Sequence, residues 1–408
     1  MKVYDNKFET FTMTINVTEK CNLRCKYCYE LYKNSSIISI DYCKNFIDLV
    51  MNTDFTKVDN SMPLLFENID LDLIGGEVLL YPELCDEILT YFQYAIRNDK
   101  RKINWRCSIS SNGTLLRNEK VQKLIIKWNN VLSLGISLDG TPELHDLNRV
   151  YPNGNGSMKN ILEGLEWLKR VSPGSLKQTK STISKNSIPY MYDSLRYLHE
   201  ELGLNYIHQN FIMENAYLDQ EDLDLFDEQM KLCCDYVFHH LDDLYWSMID
   251  YHTFYLHSNA ITDQKTTHQC GSGIMPALAI DGKIYPCFRW LPLSQKTGNE
   301  LMICGDVNDK ILNLNKFQYV YNNACRRCIT KEEKCQTCEY ESACAYCVAG
   351  CYSEFKEFKR TTYICEITKR QAKWAHYYWS RIITLAGEYN GRENSRNLQE
   401  MLKTFISL

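Results

Sequence analysis

The chain has 408 residues, 45% hydrophobic and 24% charged, enough apolar content for two or three domains with cores of their own, which excludes a disordered chain. Its net charge of −5, spread as interspersed acidic and basic residues, disfavours nucleic acid or an anionic membrane surface as a partner. The opening residues Met1 to Lys7 lack the apolar core of a signal peptide, and no apolar run approaches the ~18 residues of a membrane span, so a cytoplasmic protein is expected.

Phe11 to Val17 alternates apolar and polar residues and predicts a strand, followed by a helix from about Ile40 to Thr53. Further strands are predicted at Leu71 to Ile74, Asn104 to Ile109, Val131 to Leu138, Thr179 to Ser184 and Tyr206 to Phe211. Helical patterns lie between them, as at Pro82 to Ile96 and Met158 to Val171. Alternating strands and helices predict an α/β fold with a parallel sheet, a partial (β/α)6 TIM-type barrel whose strand-end loops carry the active site. The expected divisions are a barrel over residues 1–215, a helical bridge over 216–265 rich in acidic and aromatic residues, a cysteine-rich domain over 266–368 and a helical tail over 369–408. The aromatic stretch Tyr236 to Tyr255 reads either as interdomain core or as a peptide-docking surface.

Nineteen cysteines exceed what cores require, and a reducing compartment argues against disulfides, which leaves metal. Three lie between 21 and 28 and eleven between 270 and 365; Cys43, Cys85, Cys107, Cys233 and Cys234 are scattered and read as inert. Cys21, Cys25 and Cys28 form a CxxxCxxC triplet directly after the first strand. Soft thiolates select iron–sulfur clusters or zinc, and a cubane cluster takes four ligands, so three cysteines leave one iron open. A structural zinc triplet completed by His145 or another residue is the competing reading.

The triplet resembles the radical S-adenosylmethionine (SAM) superfamily. The resemblance implies that Cys21, Cys25 and Cys28 hold a [4Fe–4S] cluster, that SAM chelates the open iron, and that one electron cleaves SAM to a 5′-deoxyadenosyl radical. Tyr27 matches an aromatic position that lies against the adenine. Gly75, Gly76 and Glu77 look like the superfamily's GGE motif, with Glu77 accepting from the SAM ammonium; Val78 stands where a proline is usual. Ser137 resembles the fourth-strand serine that contacts the ribose, and Arg149 is a candidate for a SAM or substrate carboxylate. Ser111 and Asn112 either line the same pocket or form an ordinary Ser-Asn-Gly turn.

The second cysteine region resembles the SPASM extension of peptide-modifying radical SAM enzymes. The resemblance implies two auxiliary [4Fe–4S] clusters, three clusters in all. Cys335, Cys338, Cys344 and Cys365 would hold one; Cys270, Cys287 and Cys347 would hold the other, with Cys351, Cys304, Cys325, Cys328 or a substrate thiol as its fourth ligand. Two residues separate Cys344 from Cys347 where the pattern has three. Cys304 also reads as a buried inert thiol, the Cys325 and Cys328 pair as a redox or spare pair, and the 335–351 stretch as a zinc ribbon. The runs Tyr285 to Pro292, Arg360 to Glu366 and Tyr377 to Trp379 look like maturases of cysteine-repeat (CXXX) precursor peptides.

The resemblance implies modification of a ribosomally made, cysteine-containing peptide, with thioether closure as the expected reaction. Such an enzyme needs a reductant such as flavodoxin or ferredoxin. About ten residues precede the first strand, too few for a leader-binding domain, so a separate leader-binding protein is a candidate partner. The alternatives are a sulfatase-type formylglycine maturase, a peptide carbon–carbon cross-linker or epimerase, and a non-enzymatic Fe–S electron-transfer or scaffold protein.

Overall fold

The computed structural model describes residues 10–30, 33–58, 68–172, 176–212, 217–250, 270–297, 302–324, 333–340, 344, 347–359 and 364–389. Its first half is a run of β/α units. The strands β1 (Thr10–Thr18), β2 (Asn68–Gly75), β3 (Asn104–Ser111), β4 (Leu132–Ser137), β5 (Leu176–Ile183) and β6 (Tyr206–Phe211) pair in parallel in chain order. The helices α1 (Ile40–Met51), α2 (Pro82–Asn98), α3 (Glu119–Trp128), α4 (Pro142–Asn148), α5 (Met158–Val171) and α6 (Met191–Arg196) connect them. Parallel strands need such crossovers, and the result is the partial barrel the alternation predicted.

Local chemistry starts these helices where they start. Ser39 accepts from the Asp41 N–H to cap α1, whose Cys43, Phe46, Ile47 and Val50 form the buried face. Proline occupies the first turn of α2 and α4, where its missing N–H costs nothing. In β1, Phe11, Met13, Ile15 and Val17 are all 3% exposed or less, while the alternate residues Thr14, Asn16 and Thr18 are buried as well. Both faces of the strand are covered, one by an apolar layer and one by polar residues. The five scattered cysteines lie fully buried in this core.

The bridge differs from the helical expectation. α7 (Gln220–His239), opened by an Asp219–Asp222 capping box, is followed by a short strand β7 (Tyr245–Trp246) that pairs with β6. Tyr245 stacks on Tyr206 at 4.4 Å, and the Trp246 indole N–H donates to Gln209 Oε1 at 2.7 Å, so side-chain partners on β6 capture this turn. Residues 251–265 of the expected bridge lie outside the described residues.

The cysteine-rich half continues the same sheet. β8 (Ala277–Leu278) pairs in parallel with β1, and β9 (Lys283–Tyr285), β10 (Gly305–Asp306) and β11 (Ile311–Leu312) follow antiparallel to one another. A small second core gathers Ala277, Tyr285, Trp290, Val320, Val348 and Tyr352. The last described helix runs Cys365–Tyr389 and packs on α7, starting four residues before the expected tail.

Candidate functional site

The loop carrying Cys21, Cys25 and Cys28 leaves β1 and is braced by the end of β2. Gly76 N–H donates to Thr18 O at 2.8 Å and Glu77 N–H to Lys20 O at 2.9 Å. A Cβ on Gly75, whose φ is +147°, would lie 2.2 Å from Thr18 O, and one on Gly76 would lie 2.4 Å from Lys20 O. Only glycine permits this approach of two backbones. The glycine pair therefore shapes the cysteine loop itself.

Glu77 is held by the neighbouring strand ends. Its Oε1 accepts from Ser111 Oγ at 2.8 Å and Leu79 N–H at 3.1 Å, and its Oε2 accepts from Asn112 N–H at 2.8 Å. Burial pushes its carboxyl up, against the pull of these donors. Three protein donors leave room for one more on the carboxylate, at most. Asn112 in turn donates to Asn22 Oδ1 at 2.8 Å and approaches Cys21 Sγ at 4.0 Å, and Leu23 N–H reaches the same sulfur at 3.4 Å. Ser111 and Asn112 thus do more than turn the chain: Ser111 ties β3 to Glu77, and Asn112 ties it to the cysteine loop.

Arg149 is buried and paired through Nε with Asp139 Oδ1 at 3.0 Å. Its guanidinium lies 5.3 Å from the Tyr27 ring centre, and the Tyr27 hydroxyl donates to the other Asp139 oxygen. Burial pushes the Tyr27 hydroxyl up; burial opposes the Arg149 charge, but Asp139 beside it holds that group up. Asp139 thus occupies the Nε side of Arg149, one of its five N–H donors. Asp139 is not legible in the sequence, because an Asp-Gly after a strand reads as a turn and its Tyr27 partner lies 112 residues away. Ser137 ends β4, half-buried, in register with Lys180.

His145 is a core residue. Asp139 N–H donates to its Nδ1 at 3.4 Å; Ser157 Oγ donates to Arg149 O and so accepts from His145 Nε2 at 3.1 Å. Burial holds this imidazole neutral, down to about 4. With both nitrogens used, it is not a zinc ligand for the triplet. Three soft thiolates on one loop fit an iron–sulfur cluster with one open iron.

In the second half the thiols gather in two groups. Cys287, pushed up by burial, also feels Cys270 and Cys347, and Cys270 is pushed up to about 11 by burial and then by Cys347. Cys365, pushed up to about 11 chiefly by burial, feels Cys344 and Cys335, while Lys369, held up first by Glu366, lies near Cys338 and Cys365. Cys347 Sγ accepts from Gly350 N–H at 3.4 Å at the start of the helix Val348–Phe355, and Cys351 sits one turn on, fully buried. Cys304 is fully buried against Met302 O, its thiol pushed up to about 12 by burial. Cys325 and Cys328 lie outside the described residues.

Between the two halves opens a cavity of about 380 Å³. Tyr27, Cys28 and Tyr29 line one wall, and Arg289, Pro292, Ala349 and Gly350 line the other. Arg289 lies over the Tyr29 ring at 4.6 Å. Asn16 Oδ1 and Thr179 Oγ1, buried on β1 and β5, have no hydrogen-bond partner among the described residues, the condition of groups that await a polar ligand.

Residues 15–183 match the family model of the radical SAM superfamily. A cysteine-type anaerobic sulfatase-maturating enzyme of Clostridium novyi is 33% identical over 156 residues, 38% of this chain and 38% of that protein. The antilisterial bacteriocin subtilosin biosynthesis protein AlbA of Bacillus subtilis is 27% identical over 136 residues, 33% of this chain and 25% of its own. The chain thus spans between a quarter and two fifths of the length of these relatives. The solved structure of native anSMEcpe with bound AdoMet shares the fold over 92% of this chain and 99% of that one, with TM-score 0.69 and 17% identity. Among the described residues no helix is long and apolar enough to cross a membrane. The family implies a [4Fe–4S] cluster and SAM. Residues 15–183 therefore carry a radical SAM domain, and parts of the chain are similar to sulfatase and peptide maturases.

Proposed function

We propose that this enzyme modifies a ribosomally made, cysteine-containing peptide by closing a thioether between a peptide sulfur and a peptide carbon. The organisation would be a barrel over 1–215, a bridge over 216–265, a SPASM domain over 266–368 and a helical tail over 369–408. Cys21, Cys25 and Cys28 would hold the SAM-binding cluster; Cys270, Cys287 and Cys347 would hold one auxiliary cluster, and Cys335, Cys338, Cys344 and Cys365 the other. Bound there, these groups supply the 5′-deoxyadenosyl radical that removes a hydrogen atom from the peptide and an acceptor for the electron left over on C–S closure.

The observation that carries the reading is the cavity, because Cys28 and the residues beside Cys287 and Cys347 line one space. A peptide seated there would meet both groups of thiols. Tyr27 and Arg149, locked through Asp139, would keep the wall near Cys28 fixed and dry, and Arg289 over Tyr29 would orient an acidic or carbonyl group of the peptide. The balance of the reaction is the loss of two hydrogens from the peptide, one as a hydrogen atom to the deoxyadenosyl carbon and one as the thiol proton, with one electron released. Reconstituted, reduced enzyme with SAM and its precursor should give 5′-deoxyadenosine and a peptide about 2 Da lighter whose alkylatable thiols fall by one. Deoxyadenosine with an unchanged peptide would defeat the proposal.

The relation to a cysteine-type sulfatase-maturating enzyme favours one competing reading, oxidation of a cysteine to formylglycine. That product reacts with hydrazides, which a thioether does not.

A further inference from the structure

A second cluster of ligating side chains lies away from the cysteines, where α6 and α7 end. His199 sits on a single π-helical turn, Tyr197–Glu201, directly after α6. His240 follows the last residue of α7, and Asp243 comes one tight turn later, its N–H donating to His240 O at 3.2 Å. Each side chain offers one donor atom, and the three donors lie within 4.8 Å of one another.

We propose that His199, His240 and Asp243 form a zinc site, distinct from the iron–sulfur chemistry and structural in role. The distances fit a metal better than a direct bond. His199 Nε2 is 3.4 Å from Asp243 Oδ2 and His240 Nδ1 is 3.5 Å from Asp243 Oδ1. A charge-assisted hydrogen bond between such groups is about 2.7–2.9 Å long. Ligands bound to zinc at roughly 2.0–2.2 Å in a tetrahedron stand about 3.4 Å apart.

The hydrogen bonds behind His199 set its tautomer. Tyr236 lies 3.0 Å from Glu200 Oε1, which can only accept, so the hydroxyl proton goes there. The Tyr236 oxygen then accepts from His199 Nδ1 at 2.7 Å. With Nδ1 committed to Tyr236, the ring turns Nε2 towards Asp243 Oδ2 at 3.4 Å, and a cation between them would bind both. Metal-bound histidines usually have such a partner on the second nitrogen.

The π turn is the second observation. Leu202 N–H bonds to Tyr197 O, five residues back, and such turns are rare and recur at functional sites. It brings the His199 ring 4.9 Å from that of His240. Imidazole and carboxylate ligands suit zinc, with water completing the coordination. The ion would pin the end of α7 to the α6 segment just before β7 joins the sheet.

The test uses anaerobically reconstituted holoenzyme, so that the cysteines are filled with iron. After equilibrium dialysis against zinc, wild type should retain about one zinc per chain beyond its iron. Asp243→Ala and, separately, His240→Gln should weaken zinc binding at least tenfold. Both should keep the wild-type iron content and SAM cleavage, and zinc should raise the Tm of wild type alone. Equal zinc retention in wild type and both variants, or no retention by wild type, would overturn the assignment.

Discussion

Replacing Gly76 by alanine probes the claim that the glycine pair shapes the cysteine loop. The added Cβ would lie 2.4 Å from Lys20 O and 2.9 Å from Glu19 O, both backbone atoms that no rotamer change can move away. Relief requires the two segments to separate by close to 1 Å, roughly the shortfall from ordinary contact. That motion strains the Gly76 N–H to Thr18 O and Glu77 N–H to Lys20 O bonds, at 2.8 and 2.9 Å. Two buried backbone bonds lost or stretched cost about 2–5 kcal/mol. The larger consequence is chemical, because Lys20 precedes Cys21. Gly76→Ala should lose close to one cluster's worth of iron after reconstitution and reduce SAM cleavage by at least a hundredfold, while the C-terminal thiols still load. A Gly76→Ala protein with wild-type iron content and SAM cleavage would refute the argument.

Cys304→Ala should leave the iron content unchanged, whereas Cys287→Ala should lower it by a cluster's worth, both read by iron and sulfide analysis. Asp139→Asn removes the charge that holds Arg149 and one acceptor of Tyr27; a broken buried pair costs about 3–5 kcal/mol, which urea unfolding would register as a lower midpoint. His145, with its folded value lowered to about 4, binds its proton more readily when unfolded, so its contribution is full above pH 6.5 and is lost as pH falls towards 4. Between pH 7 and pH 5 this amounts to about 2 kcal/mol, a loss that urea unfolding should show in wild type and not in His145→Asn. Arg289→Ala should raise the KM for the precursor peptide several-fold with little change in SAM cleavage without peptide.

Periodicity made most of the barrel legible, as in β1 and β2, whereas β5 buries Thr179 and Ser181 beside Ile183. It failed where pairing partners decide the conformation. β7 and β8 have two residues each and no pattern of their own; Trp246 is held by Gln209, and Ala277 by the edge of β1. The cysteine triplet and the glycine pair were visible because few residue types serve those purposes. Their mutual dependence was not, because it arises from the approach of Lys20 to Gly76. Arg149 is the instructive case: an arginine reads as a ligand contact from sequence, and the structure adds an aspartate ten residues earlier that pairs with its Nε.

The pairing of β8 with β1 has a consequence for how the protein can be handled. Thr14 N–H donates to Pro276 O at 2.9 Å, so an edge of the barrel sheet is closed by the segment that leads into Cys287. A fragment ending near residue 215 would present that edge of β1 unpaired, an invitation to strand-to-strand association between copies. The barrel expressed alone should therefore self-associate where the full chain does not, and the cysteine-rich half serves as its protective cover.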